Sequence, residues 1–250
     1  MLRPDGNGKL SKRDGDRLGF PVFPTNWTTA EGELYSGYRE NGYFAGAFIN
    51  MLAFLGWNPG TTQELFSLEE LVQAFTLERV GKAGAKFDPD KTKWFQQQYL
   101  KAASDEELSQ LLRKEFDIQA TDEKLAAFSH LMKERATFVK DMMTEGAYLF
   151  DRPESYDEQT RSKKWKPESG ALMSEWQTKL AAVTDFTPAN VEAAFKAFLE
   201  EKQLGIGAVL PLFRLLVTGV GMGPSMFEIA AFLGKEECLS RMESGIQVLG

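Results

Sequence analysis

The chain has little with which to build a metal or redox centre. One cysteine in 250 residues, Cys238, excludes an internal disulfide framework and any set of thiolate ligands for structural zinc, and it fits a reducing compartment. One histidine, His130, leaves no histidine pair for zinc, and a Ser-His-Asp triad would have to use that single imidazole. It lies in "LAAFSHLMKER", a helical pattern, where a partly buried surface histidine is the expected reading, and no metal site is expected. Long apolar runs are also missing: the longest candidate, "GAFINMLAFLG", is too short to cross a bilayer, and there is no secretory apolar segment. The chain is therefore expected to be cytoplasmic and to have no membrane partner. Positive charge is in deficit as well. With 29 Lys and Arg against 36 Asp and Glu, the formal charge of −7 excludes a protein coated in positive potential, so any nucleic-acid contact must come from local basic stripes.

What is present is ample material for packed cores, 43% apolar and 12% aromatic residues, in a length that suits one large domain or two to three small ones. Beyond the first forty residues nearly every segment reads as helix. Ser67 to Glu70, Ser104 to Glu107 and Ser225 to Glu228 match the Ser-x-x-Glu capping box, in which hydroxyl and carboxylate each satisfy an orphan backbone N–H. Thr187-Pro188 places a capping threonine before a first-turn proline, and Val191, Phe195, Phe198 and Leu199 recur at helical spacing up to a stop at Gly205. Strand signals are confined to "GFPVF" and "ELYS". The expected fold is mainly α, with a small α/β piece preceding helical modules. The polar, proline-bearing stretch 150–170 is the main candidate boundary, and a softer one falls near residues 102–104.

The start of the chain, "DGNGKLSKRDGD", poses the chemical question. A P-loop would need Ser or Thr after Gly8-Lys9, and Leu10 stands there. A calcium loop counted from Asp5 would need an oxygen ligand at its fifth position and glycine at its sixth, which are Lys9 and Leu10. What remains is Lys9-Leu10-Ser11-Lys12-Arg13, a form of the Lys-Met-Ser-Lys-Ser signature of class I aminoacyl-tRNA synthetases; on these five residues alone a solvated basic turn fits as well.

Read in order, six pieces decide between these. "GKLSKRDG" is followed by "GYFAGAFINMLAFLGWNP", "FSLEELVQAFTLERV", "FDPDKTKWFQQQYL", "LMKER" with "GAYLF", and "LPLFRLLVTG" with "GPSMFEIAAFLGKEECLSRM". In order and spacing these resemble the back half of a bacterial glutamyl-tRNA synthetase, over almost the whole chain. One departure is Gln96, where the family usually has asparagine two residues after the tryptophan of "KWF".

The resemblance implies a lysine loop and stem-contact domain over residues 1–102, a first helical anticodon-binding module over 103–151 and a second over 152–250. It implies that Lys9, Ser11 and Lys12 bind ATP in the intact enzyme, with Lys9 and Lys12 as catalytic residues neutralising the departing pyrophosphate. Gly6, Gly8 and Gly15 would let this loop close, and without its partner half it is expected to be disordered. Arg135, Arg214, Gly223, Pro224, Met226 and Phe227 are implied as anticodon contacts, with Met226 and Phe227 having core packing as the alternative. The implied partners are tRNA(Glu), with L-glutamate and ATP in the intact enzyme; no cofactor is expected in this chain, and ATP and Mg²⁺ belong to the intact form. The chain is expected to be a monomer. A synthetase also carries a His-x-Gly motif upstream of the lysine loop, and here only eight residues precede Lys9 while the sole histidine is followed by Leu131-Met132. An excised, catalytically inactive fragment is expected, with a free-standing tRNA-binding protein or a helical protein-interaction scaffold as alternatives.

Overall fold

A computed structural model describes residues 1–250, the side chain of Asp16 excepted. Thirteen α-helices are found among the described residues. The chain groups into two compact units: Met1–Glu115 with Arg135–Asp141, and Phe116–Glu134 with Met142–Gly250.

The first unit holds α1 (Lys12–Leu18), β1 (Trp27–Thr28), β2 (Leu34–Tyr35), α2 (Ala45–Ala53), α3 (Leu68–Ala74), α4 (Pro89–Ala102) and α5 (Asp105–Glu115). The strands form one antiparallel pair, Trp27 opposite Tyr35 and Thr28 opposite Leu34. "ELYS" thus contributes a strand, whereas "GFPVF" contributes only the bridge from Phe23 to Gly37. Pro21 lies inside that stretch and Pro24 follows it, and a residue without an N–H cannot extend a ladder. The core gathers Phe20, Tyr38, Met51, Phe87 and Phe95.

Two buried amides tie α2 to its neighbours, one from α4 and one to the segment before α3. Gln96 is wholly buried; its Oε1 accepts the Phe44 N–H at 2.8 Å and its Nε2 donates to the Gly42 carbonyl at 3.3 Å. Phe44 is the N-cap of α2 and has no capping side chain of its own, so the Gln96 amide performs that task from across the interface. Asn50, also wholly buried, donates to the Glu64 carbonyl at 2.9 Å and accepts the Phe66 N–H at 2.8 Å.

The second unit holds α6 (Asp122–Met132), α8 (Glu158–Lys164), α9 (Ser169–Ala181), α10 (Pro188–Lys202), α11 (Ile206–Thr218), α12 (Met226–Leu233) and α13 (Lys235–Leu249); α7 (Val139–Gly146) is divided between the two units at Met142. Its core is built around Trp176, wholly buried, whose ring lies 5.1 Å from Phe195 and 5.5 Å from Phe213, centroid to centroid. Arg241 is the buried charge of this unit. Its Nε donates to Glu237 at 2.7 Å, its Nη1 to the carbonyls of Tyr148 at 2.5 Å and Val217 at 3.3 Å, and Arg152 holds the same Glu237 from the other side at 2.5 Å. The Arg152 side chain is what chiefly holds the Glu237 carboxyl below its usual range.

Several helix starts follow the sequence. Ser67 and Glu70 close a full capping box, the Ser104 hydroxyl accepts the Glu107 N–H at 3.1 Å, and Thr187 caps Pro188-led α10. The end of α10 differs from expectation: it stops at Lys202 because Gln203 takes the left-handed conformation at φ 55°, and Gly205 is instead the N-cap of α11. The stretch 150–170 differs too. It contains α8, whose cap Asp157 accepts the Thr160 N–H at 2.7 Å, and it lies inside the second unit. Cys238 on α13 is wholly buried, and burial pushes its thiol up to about 12. No helix is long and apolar enough to cross a membrane among the described residues.

Candidate nucleic-acid interface

The lysine segment, expected to be a disordered loop, makes a set of backbone and capping bonds. Leu2 bridges to Lys9 on one side and to Lys86 on the other, and the Leu10 N–H donates to the Met1 carbonyl at 3.0 Å. Ser11 then caps α1 through a box with Asp14: the Ser11 N–H and hydroxyl donate to one Asp14 oxygen at 2.9 and 2.7 Å. Arg17 holds the other oxygen at 2.8 Å. The Ser11 backbone bond first, then Arg17 and the Ser11 hydroxyl, hold this carboxyl far below the ordinary carboxylate range. Ser11 is thus committed to a cap, and the backbone satisfaction it provides is why the segment does not behave as a free loop.

Gly6 and Gly8 have the positive φ that their turn requires, 78° and 92°. Gly15, expected as a further source of loop freedom, does something else: it sits in α1, where a Cβ would come 2.7 Å from the Phe20 carbonyl oxygen. Of the two lysines, Lys9 is exposed, and Lys12 rests its ammonium 4.2 Å from the Trp27 ring centroid and 5.8 Å from that of Phe23.

The second group of expected residues converges at the turn from α11 to α12. The Arg214 guanidinium donates to the Pro224 carbonyl at 2.6 Å. A Cβ on Gly223 would come 2.7 Å from Arg214 Nη1 and 2.9 Å from the Tyr148 hydroxyl, so only glycine leaves both groups in place. The turn is fixed behind: Gly219 accepts the Asp157 N–H at 2.8 Å, and Thr218 donates to the Arg214 carbonyl at 2.8 Å. Ser225 caps α12, its hydroxyl accepting the Glu228 N–H at 3.5 Å.

Met226 does not share in an exposed surface. It is 1% exposed and packs the interior of the second unit, while Phe227 is half-buried with its ring 5.5 Å from Phe195. The core alternative describes Met226, while Phe227 stays partly exposed. The turn instead presents Met222, 83% exposed. Sequence reading had no role for Tyr148 or Arg241. Tyr148 sits in the quoted "GAYLF", but nothing in its spacing shows that its hydroxyl meets Gly223, 75 positions on. Arg241 lies in "CLSRM" and looks like any helical surface arginine until its burial is seen.

Arg135 is the remaining expected contact. Helix α6 ends at Met132, and Arg135 lies in the turn that follows, exposed and with no ion pair among the described residues. It belongs to the first unit, whereas Arg214 and Gly223 belong to the second.

Residues 94–246 match the family described as "Anticodon binding domain". The chain belongs to the anticodon-binding domain family. The whole chain is also 49% identical over 253 residues to a glutamate–tRNA ligase of Phocaeicola vulgatus and 49% identical over 252 residues to one of Flavobacterium johnsoniae, covering 50% of each. Among solved structures, it is similar over its full length to half of a glutamate tRNA ligase from Elizabethkingia meningosepticum in complex with its amino acid, at 42% identity and a TM-score of 0.93. A glutamate-tRNA synthetase from Elizabethkingia anophelis is matched over 99% of this chain, at 41% identity and a TM-score of 0.88. The chain thus spans about half the length of the relatives it matches, and the matching half is their C-terminal one. This anticodon-binding domain is helical, as the sequence led one to expect.

Proposed function

We propose that this chain binds a glutamate-accepting tRNA through its anticodon and stem, as the recognition part of an enzyme that joins L-glutamate to that tRNA with ATP. The observation that carries the reading is the α11–α12 turn. There Arg214, the Pro224 carbonyl and Gly223, which lacks the Cβ that would strike Arg214 and the Tyr148 hydroxyl, meet at one place, within the residues that match the anticodon-binding family. Unpaired anticodon bases can be splayed and read on their edges, which needs fixed donors and a backbone a base can approach closely. Three functional modules, over residues 1–102, 103–151 and 152–250, belong to the same reading, as do a monomeric state and a cytoplasmic location.

In the intact enzyme the glutamate carboxylate attacks the α-phosphorus of ATP and pyrophosphate departs. Lys9 and Lys12 would stabilise the charge gathering on that leaving group, an interaction made mainly in the transition state. Lys12 would first have to leave the Trp27 and Phe23 rings. Mg²⁺ and ATP are assigned to the intact form only.

Binding of bulk tRNA at low salt tests the reading. Few phosphates can be met by an acidic protein, so the logarithm of the affinity should fall with the logarithm of salt at a shallow slope, about −0.7 for each phosphate contacted on single-stranded loops. A titration in which folded tRNA neither binds nor competes would overturn it. One observation favours a protein partner in addition: Leu68, Val72 and Leu77, on and just after α3, are 56%, 73% and 78% exposed, an apolar face of the kind that another polypeptide covers.

A further inference from the structure

The densest positive run in this acidic chain is "RSKKWK", residues 161–166, and the function proposed above gives it no task. Its place in the fold does. Helix α8 starts against the α11–α12 turn: its cap Asp157 donates its N–H to the Gly219 carbonyl at 2.8 Å, and a Cβ on Gly221 would strike the Thr160 hydroxyl. Its far end reaches the start of α11, where Lys164 Nζ donates to the Gly207 carbonyl at 3.4 Å. At 1.5 Å per residue, Thr160 to Lys164 spans about 6 Å, the length of roughly two stacked nucleotides at about 3.4 Å each.

At that end a groove of about 670 Å³ opens between α8, α9 and α11, with Leu172, Leu204 and Leu212 in its wall and Lys163, Lys164 and Lys166 on its rim. All three lysines are exposed, and neither Lys163 nor Lys166 has a salt-bridge partner among the described residues. Of the two carboxylates that also line the groove, Glu175 is paired with Lys202, which leaves Glu168 as the opposing charge.

We infer that α8 and the turn after it are a phosphate track: Lys163 and Lys166, with Lys164, hold the sugar–phosphate backbone of the RNA strand whose bases meet the Arg214–Gly223 turn. The inference rests on the RNA reading of that turn. It assigns affinity and not sequence choice to α8, since ammonium groups on phosphates carry no base information. The exposed lysines supply the attraction, with Asp157 and Glu168 as the nearby opposing charges, and the bolting of α8 to the turn fixes the distance between phosphates and bases.

The test is binding of an anticodon stem-loop RNA to the full chain and to K163A/K166A, across about 50 to 200 mM salt, with K196A as a control on a lysine paired to Glu192 on α10. The double variant should bind more weakly, with a salt slope shallower by about 1.4, so that its deficit shrinks about sevenfold across that range. Its preference between stem-loops that differ in one anticodon base should be unchanged, and K196A should match the parent chain. Binding by the parent chain with the same slope in the double variant would overturn the phosphate track alone. No binding by the parent chain would overturn the track together with the RNA reading. Because both side chains are exposed and without salt-bridge partners, a helical circular dichroism spectrum equal to the parent's is expected for K163A/K166A, and charge reversal, K163E/K166E, should deepen the loss.

Discussion

Asp14 carries more of the lysine segment than either lysine does. Its carboxylate accepts from Ser11 twice and from Arg17, and all of these bonds favour the charged form. A carboxyl held below its ordinary range contributes stability that is fully present above the unfolded-state value of about 4 and is lost as pH falls through the native one. The urea midpoint of D14N should therefore lie below that of the parent chain at pH 7, and the gap should close progressively below about pH 4; a gap independent of pH would contradict this. Arg135 makes the opposite kind of case, an exposed guanidinium with no ion pair to lose. Arginine offers only donors, so if a terminal anticodon base turns the minor-groove side of its Watson–Crick edge to it, away from guanine O6 and N7, cytosine with its O2 and N3 acceptors is welcome and guanine with its N1 and N2 donors is not. R135Q should narrow that preference about ten- to a hundredfold, the equivalent of roughly 1–3 kcal/mol, with no loss of stability. Stem-loops differing only in the last anticodon base measure it, and a preference kept in full would move the specificity to Arg214. Sequence alone marked Lys9, Lys12, Arg135 and Arg214 as chemically apt. It could not mark Ser11 as a cap partner of Asp14 or Met226 as interior, because both depend on which way one turn faces.

Elements were legible where their signals are local. The Ser67–Glu70 box and the Thr187-Pro188 start need only a few consecutive residues, and both are found as written. Signals that depend on distant partners were not legible. The polar stretch 150–170 looked like a linker, yet Asp157 and Thr160 make α8 a strut against Gly219 and Gly221, partners some sixty positions away. The end of α10 was misplaced for a smaller reason, a glutamine taking the left-handed turn that glycine usually supplies. Gln96 belongs here too. Its amide is a long-range cap for α2, which explains what a buried polar residue is doing at that position. Q96A should strip the Phe44 N–H of its partner inside the protein and cost about 1–3 kcal/mol by urea unfolding, with RNA binding by the second unit retained. An unchanged midpoint would mean that water replaces the amide.

On the scale of the whole molecule, the only sheet among the described residues is one two-stranded antiparallel pair. The family was legible because six segments keep their order across nearly the full length, which no local accident reproduces. The grouping into two compact units was not, since Arg135–Asp141 joins the first unit across an intervening stretch of the second. One feature of the second unit makes these ideas convenient to observe. Cys238 is the chain's sole thiol, wholly buried and held protonated up to about 12, so maleimide reagents near neutrality should leave the native protein unlabelled. A single cysteine placed at Met222, the exposed tip of the α11–α12 turn, would then take one dye at one address, and its fluorescence anisotropy could follow an RNA arriving at that turn in real time.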